Sequence, residues 1–253
     1  MTAAPLLQAQ AVSVSYQTRR GSIDALRDVN LSVGEGEFVT ILGPSGCGKS
    51  TLLKLAAGLL APTHGRIEVA GNPVDGPNRD IGVAFQKPTL LPWRSVLDNV
   101  LLPSQTVGEG GPLAVARARE LLDVVGLRDF ADDYPKELSG GMQQRVGLAR
   151  MLQRDPKLLL MDEPFAALDA MTREALTLEL QRIWMRDRKS VLFITHSIAE
   201  AVMLSDRVLV MSARPGRVVE DYRVDISRPR TLATLADPAF VAATDHLRRH
   251  FIG

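Results

Sequence analysis

Short apolar runs separated by longer stretches with helical spacing recur along the whole chain. Five runs are almost continuously apolar, at 38–42, 81–85, 158–161, 191–195 and 208–211, as strands covered on both faces of a parallel sheet require. Val12, Val14 and Tyr16 alternate with polar residues, as do Val29, Leu31 and Val33, which predicts antiparallel edge strands. Helical spacing predicts helices over 49–57 (with Gly58 as the stop), 113–125, 141–154 and 172–186; in the last, Leu176, Leu180 and Ile183 share one face. Ser197 and Glu200 have the spacing of a capping box that opens a short helix towards Leu204. Between Phe85 and Leu158 no strand pattern occurs; that segment holds two helical stretches and Pro/Gly-rich joints and reads as a helical subdomain inserted into a sheet domain. Arg214, Pro215, Gly216 and Arg217 form a turn signal after a strand, and the chain beyond Pro229 is expected to be helical. The alternation as a whole predicts an α/β protein with a mainly parallel sheet.

Composition narrows the reading. The chain has 253 residues, 30 of them basic and 29 acidic, for a net charge of +1, which gives no electrostatic case for nucleic acid or an anionic lipid surface. With 45% apolar and 23% charged residues it is neither disordered nor collagenous, and one compact domain with an insertion suits the length. The single cysteine, Cys47, excludes an internal disulfide framework and a cysteine-based zinc site, and fits a reducing compartment. Residues 1–10 carry no basic residue ahead of their apolar stretch and do not read as a signal peptide. No run approaches the roughly 20 apolar residues of a membrane-spanning helix. The richest stretch, 52–61, is broken by Lys54 and stopped by Pro62. The expectation is a soluble chain whose membrane role, if it has one, runs through a partner.

The candidate chemistry begins at Gly43, Pro44, Ser45, Gly46, Cys47, Gly48, Lys49 and Ser50, a match to GxxxxGK[ST] between a predicted strand and a predicted helix. Glycines let the backbone wrap a phosphate with successive N–H groups turned inward, and the following helix aims its positive end at the same charge. Lys49 is expected on the β- and γ-phosphates, and the Ser50 hydroxyl on Mg²⁺. A chance match in this length is roughly a one-percent event. A second element, LLLMDE, ends a buried strand in Asp162 and Glu163. At the carboxyl edge of a parallel sheet, Asp162 suits the metal's water shell and Glu163 an attacking water. By itself such a pair is also a common solvated strand end. Ser139, Gly140 and Gly141 stand at the mouth of a helix and offer a second anion-binding N-terminus; alone, the trio reads equally as a helix-entry turn. Gln86 and His196 each follow an apolar run, where an amide can touch metal or water and an imidazole can donate to a γ-phosphate oxygen.

The ordered set of phosphate loop, Gln86, LSGGMQQR, LLLMDEP and His196 resembles the nucleotide-binding subunit of ABC transporters over nearly the whole chain. The resemblance implies a P-loop NTPase fold of the ABC ATPase type. Its core sheet would be mostly parallel, with an antiparallel β edge subdomain and an inserted helical signature subdomain. The ATP-binding domain would span 7–236, with the insertion at about 88–155 and a C-terminal helical tail at 237–253. It also implies residue roles. Tyr16 would stack on adenine, and Gly43 through Thr51 would hold the phosphates of ATP. Gln86 would sense metal and attacking water and relay to the permease. Ser139 and Gly141, with Gly140 between them, would contact the γ-phosphate bound to the opposite subunit. Asp162 would bind Mg²⁺ through water, Glu163 would be the catalytic carboxylate and His196 would position the γ-phosphate. Ala167, Leu168 and Asp169 would form a loop communicating across the dimer.

Two departures from the family pattern stand out. Met142 occupies a position where many members have glutamine, and Ala166 replaces a frequent serine; neither removes a group assigned to phosphate or metal. Because Ser139 belongs to the inserted subdomain, two chains head to tail are expected to sandwich two ATP molecules in an isologous dimer, a clamp that hydrolysis resets. The Cys47 thiol is expected to be open to a thiol reagent, with ATP protecting it. FQKPTLLPWRSVLDNV, at 85–100, presents Trp93 and leucines between prolines, a composition suited to a partner groove that in the family receives a coupling helix of the integral-membrane permease. That string resembles the nitrate/sulfonate/taurine/bicarbonate importer group, whose members work with permease subunits and an extracytoplasmic solute-binding protein at the inner face of the membrane. An importer of a thiamine-precursor pyrimidine is a near alternative. Against a non-transport ABC ATPase acting on DNA or the ribosome stand the single cassette, the absent heptad arm and the balanced charge. Against an ATPase that has lost its activity stand Lys49, Asp162, Glu163 and His196.

Overall fold

A computed structural model describes residues 4–18 and 21–251; the first three residues of the leading stretch and the last two of the expected tail lie outside them. Six strands form the central sheet, in the order β10-β9-β3-β8-β7-β6. These are β3 (Phe38–Leu42), β6 (Ile81–Ala84), β7 (Leu158–Asp162), β8 (Ser190–Thr195), β9 (Arg207–Met211) and β10 (Val218–Arg223). All neighbours pair in parallel except β9 with β10. Every residue of β3 and β8 is buried, the consequence of covering both faces. The fold is thus α/β, with a mostly parallel core sheet.

The alternating N-terminal segments form β1 (Leu7–Thr18) and β2 (Gly21–Val33). They do not edge the central sheet; with β4 (His64–Val69) and β5 (Asn72–Pro73) they make an antiparallel sheet of their own, ordered β2-β1-β4-β5. Helix α1 (Lys49–Ala56) lies between the two sheets, its Leu52, Leu53 and Leu55 in one core with Val12, Val29, Ile41 and Ile194. Gly58, at φ +69°, ends it as expected. The strands β4, β5 and β10 are absent from the sequence reading. β4 buries only Ile67 and Val69, and β10 alternates half-buried with exposed residues. Edge strands like these carry too few apolar positions to be recognised by continuity.

Between β6 and β7 come α2 (Val96–Gln105), α3 (Pro112–Val124) and α4 (Gly140–Leu152), three helices rather than the two expected. The pattern missed α2 because it carries Pro103, although its N-cap, Ser95, accepts from the Asp98 N–H at 3.1 Å. The buried Asn99 of α2 holds the loop ahead of it: its Oδ1 accepts from the Leu91 N–H at 2.7 Å, and its amide donates to the carbonyls of Leu91, Arg94 and Ser95. Arg150 of α4 donates to the carbonyls of Pro88 and Thr89 in the same loop. Burial lowers the pKa of Arg150 from its ordinary value.

Helix α5 (Ala170–Asp187) begins at Asp169, whose carboxylate caps it by accepting from the Thr172 N–H at 3.0 Å. Short α6 (Ile198–Leu204) forms only half of the expected capping box. Ser197 Oγ accepts from the Glu200 N–H, but the Glu200 carboxylate turns inward and accepts from the Thr195 hydroxyl at 2.6 Å. The chain past Pro229 forms a 3₁₀ turn and α7 (Pro238–Arg248), packed on α6 through Phe240, Ala243 and Leu247. The expected strand over 81–85 stops at Ala84, leaving Phe85 exposed. Asn99→Ala removes the amide that serves four backbone groups. It is expected to cost about 2–4 kcal/mol, because the Leu91 N–H and the Arg94 carbonyl lose their partner and stay desolvated; urea denaturation of the full chain measures this directly.

Candidate functional site: a phosphate cradle at the carboxyl edge of the sheet

Parallel pairing brings three strand ends to one level. Leu42 pairs with Thr195, and Asp162 with Ile194, so the loops after β3, β7 and β8 leave the sheet side by side. Parallel sheets bind their ligands at this edge. The loop after β3 runs through Gly43, Pro44, Ser45, Gly46, Cys47 and Gly48 into α1. Gly48 sits at φ +104°, and a Cβ there would lie 2.6 Å from the Leu26 side chain and 2.8 Å from the Ala25 carbonyl oxygen. Both backbone angle and space therefore demand glycine.

A cavity of about 380 Å³ opens above this loop. It is lined by Ser45, Gly46, Gly48, Lys49, Ser50 and Thr51, and closed at the sides by Tyr16, Glu163 and Arg214, with Ile23 and Ala25. Lys49 is buried; its ammonium donates to the carbonyls of Gly43 at 2.8 Å and Pro44 at 3.0 Å, and stands 3.8 Å from Glu163 Oε1. The Ser50 hydroxyl donates to Asp162 Oδ1 at 3.1 Å. The Tyr16 hydroxyl lies 3.4 Å from Thr51 Oγ1, its ring on the outer wall.

Glu163 sits one residue past β7 in a left-handed conformation, φ +45°, which costs an ordinary residue of order 1 kcal/mol. Its N–H donates to the Ile194 carbonyl at 2.9 Å. This kink turns the Glu163 carboxylate towards the cavity while Asp162 faces Ser50. The other Glu163 oxygen is 3.1 Å from His196 Nδ1. Thr195 braces the histidine's turn: its hydroxyl donates to buried Glu200 and accepts from the Ser197 N–H at 3.0 Å. Desolvation by burial raises the pKa of Glu200, against the Thr195 hydrogen bond and the charge of Arg173. Burial likewise raises that of Asp162, against the Ser50 bond and with the Glu163 charge adding to the rise. A hydroxyl and an ionisable carboxylate 3.1 Å apart form a hard-oxygen donor set of the kind Mg²⁺ takes, and a cation there offsets the cost of a desolvated anion.

The structure gathers Tyr16, Ser45, Gly46, Gly48, Lys49, Ser50, Thr51, Asp162, Glu163 and His196 around one cavity. Gly43 and Pro44 lie beneath it as the acceptors for Lys49. Cys47 corrects the expectation of an accessible thiol: it is 1% exposed, and burial raises its pKa, so the reactive thiolate is both shielded and scarce. Gln86 is exposed just past β6 and is not among the residues lining the cavity. Ser139, Gly140 and Gly141 are also outside it. Ser139 is exposed and caps α4 by accepting from the Met142 N–H at 3.3 Å. A Cβ on Gly141 would lie 2.7 Å from the Thr172 side chain, so α4 begins close against α5. Sequence reasoning missed Arg214, which reaches back from the turn after β9 to the Gly46 carbonyl at 3.2 Å. Its only signal was a basic residue beside a Pro-Gly turn. The buried brace formed by Glu200 was also read only as part of a cap.

Cleaving a nucleoside phosphate is the chemistry this grouping serves, and the class is that of the phosphate-loop nucleoside triphosphatases. The chain belongs to the ABC transporter family, whose sequence model matches residues 26–166. It is 51% identical over 222 residues to the taurine import ATP-binding protein TauB of Burkholderia pseudomallei, covering 88% of this chain and 85% of that one. It is 49% identical over 224 residues to an uncharacterized ABC transporter ATP-binding protein of Methanocaldococcus jannaschii, covering 88% and 84%. Among solved structures, it resembles the ATP-binding cassette MJ0796 in a dimeric post-hydrolysis state bound to ADP and Pi, with a TM-score of 0.76 and 34% identity, covering 87% of this chain and 100% of that one.

Asp162→Asn keeps an acceptor for Ser50 while removing a carboxylate whose ionised form is desolvated. A carboxyl with a raised native pKa costs the fold nothing below its unfolded pKa, and the cost grows as pH rises from there through the native pKa. Near pH 7, the thermal midpoint of the nucleotide-free variant is therefore expected to equal or exceed that of the native chain. Turnover of ATP is expected to fall by roughly 100-fold or more; calorimetry and a phosphate-release assay check the two halves.

Proposed function

We propose that this chain is the ATP-hydrolysing subunit of an importer for a small anionic solute such as a sulfonate, taurine or nitrate. It would act as a homodimer on the cytoplasmic side of the cell membrane, docked on integral-membrane permease subunits that receive solute from an extracytoplasmic binding protein. The family assignment and the taurine-import relative support the transport role, and no helix among the described residues is long and apolar enough to cross a membrane. The observation that carries the mechanism is the separation of two anion-binding elements. The cavity over Lys49 holds Glu163 and borders His196, whereas Ser139 caps α4 in an exposed position outside that cavity.

In this reading the triphosphate lies on the loop N–H groups, with Lys49 exchanging its carbonyl partners for β- and γ-phosphate oxygens. Tyr16 takes the base, and Arg214 stands over the phosphates. Ser50 and Asp162 would hold Mg²⁺, which supplies charge neutralisation on the phosphates. Water attacks the γ-phosphorus, the bond to the β-bridging oxygen breaks, and the water's proton passes to the Glu163 carboxylate. His196, braced by Thr195, keeps Glu163 and the γ-phosphate in line. Ser139 and the N–H groups of Gly140 and Gly141 from the twin subunit close over the same phosphate, so ATP holds the dimer shut and loss of phosphate opens it. Trp93 is 71% exposed on a loop tied down by Asn99 and Arg150, a rigid apolar projection suited to the permease.

Glu163→Gln is expected to bind ATP, hydrolyse it at least about 100-fold more slowly, and double the particle mass by light scattering when ATP is present. Adding Ser139→Arg is expected to abolish the doubling while leaving nucleotide binding to the loop. A Glu163→Gln chain that stays monomeric with ATP, or a Ser139→Arg chain that still pairs, would overturn the divided site.

A further inference from the structure

Helix α7 and the turn that follows it carry two of the chain's four histidines. His246 lies in its last turn and His250 in the turn that continues it, where the His250 N–H donates to the Leu247 carbonyl at 3.3 Å. Residues four apart share a helix face, and both rings turn Nε2 onto the carboxylate of Glu220 on β10. His246 Nε2 is 2.7 Å from Oε1, and His250 Nε2 contacts Oε2. One ligand atom from each of the three residues falls within 4.8 Å of the others. We propose that Glu220, His246 and His250 form a binding site for a divalent transition cation of the zinc class, clamping the C-terminal helix to β10.

The donor types set the class of ion. Two imidazoles and a carboxylate without a thiolate suit Zn²⁺, Co²⁺, Ni²⁺ or Cu²⁺, whereas Mg²⁺ and Ca²⁺ favour oxygen alone. Ligand bonds of about 2.0–2.2 Å need donor atoms closer together than 4.8 Å, an adjustment small enough for side-chain torsions at a partly exposed site. The frame is already in place. Glu220 and Tyr222 point to the same face of β10, and the Tyr222 ring stacks on His246 with centroids 4.9 Å apart. Phe240, Ala243 and Leu247 anchor the helix in the core. The carbonyl end of a helix favours a cation, and Arg248 in the last turn of α7 is paired with Asp245. On binding, each imidazole offers the Nε2 lone pair and carries its N–H on Nδ1. Three protein ligands leave a fourth position to water.

The consequence reaches the active centre through packing. Helix α7 lies on α6, and α6 opens at Ser197, directly after His196. A bound cation would stiffen the layer that carries the His196 turn. The assignment stands on these side chains alone and is independent of which solute the protein serves.

The test uses tag-free, nucleotide-free full-length protein titrated with Zn²⁺ against a chromophoric chelator, with Co²⁺ as a spectroscopic substitute. One Zn²⁺ per chain is expected, with visible Co²⁺ absorption of the intensity that four- or five-coordinate sites give and a Zn²⁺-induced rise in thermal midpoint. Glu220→Gln and His246→Ala are each expected to weaken binding at least about tenfold, and His64→Ala to leave it unchanged. His250→Ala, at an exposed position beyond the helix, removes a ligand without touching the core, so its loss of binding cannot be ascribed to misfolding. Absence of stoichiometric binding, or equal affinity in His250→Ala, would overturn the site.

Discussion

The parallel register of β3, β8 and β7 is the constraint on which the rest of the molecule depends. Strands buried on both faces leave little room for charged side chains along their length, so ionisable chemistry is expelled to their ends. Because Leu42 stands level with Thr195, and Ile194 with Asp162, the expelled groups arrive together. Lys49 descends from the loop after the first strand, His196 follows the second, and the acid pair ends the third. A slip of one pairing step would move Ser50 away from Asp162 and His196 away from Glu163.

The same physics decides what was legible in the amino-acid order. Continuous apolar runs mark the five parallel strands because burial on both sides leaves one composition that works. Glycine spacing marks the cradle because only glycine fits at Gly48. Edge elements escape this logic. β10 needs one apolar side and hides its pattern behind Glu220, Asp221 and Arg223, and β4 hides behind His64, Gly65 and Arg66. Helix α2 escapes for a different reason: Pro103 argues against a helix locally, and tertiary anchoring by Asn99 overrides it. Site residues followed the same rule. Those in contiguous motifs were visible, whereas Arg214 enters the cavity only through the packing of a distant turn. The exposed thiol expected at Cys47 failed because spacing locates a residue but does not tell which side of the loop it occupies.

Three buried polar groups away from the cavity, Asn99, Glu200 and Arg230, hold irregular backbone still. Asn99 secures the loop before α2, and Glu200 secures the turn around His196. Arg230, pushed down to about 10 by burial, gives its guanidinium to the carbonyls of Val202 and Ser205 at the end of α6. Asn99 and Arg230 replace water that the backbone lost on folding, and Glu200 acts through the Thr195 hydroxyl, which holds the Ser197 N–H.

Arg150 makes such an anchor into a lever. It rides on the helix that Ser139 begins, yet its guanidinium grips Pro88 and Thr89, just past Gln86. In the proposed dimer, the surface that meets the membrane complex and the tip that covers a neighbour's nucleotide are thus opposite arms of one stiff beam. In that reading, pressing on one arm would swing the other, and a message would cross the subunit as rotation of an intact helix, not as a relay of separate contacts.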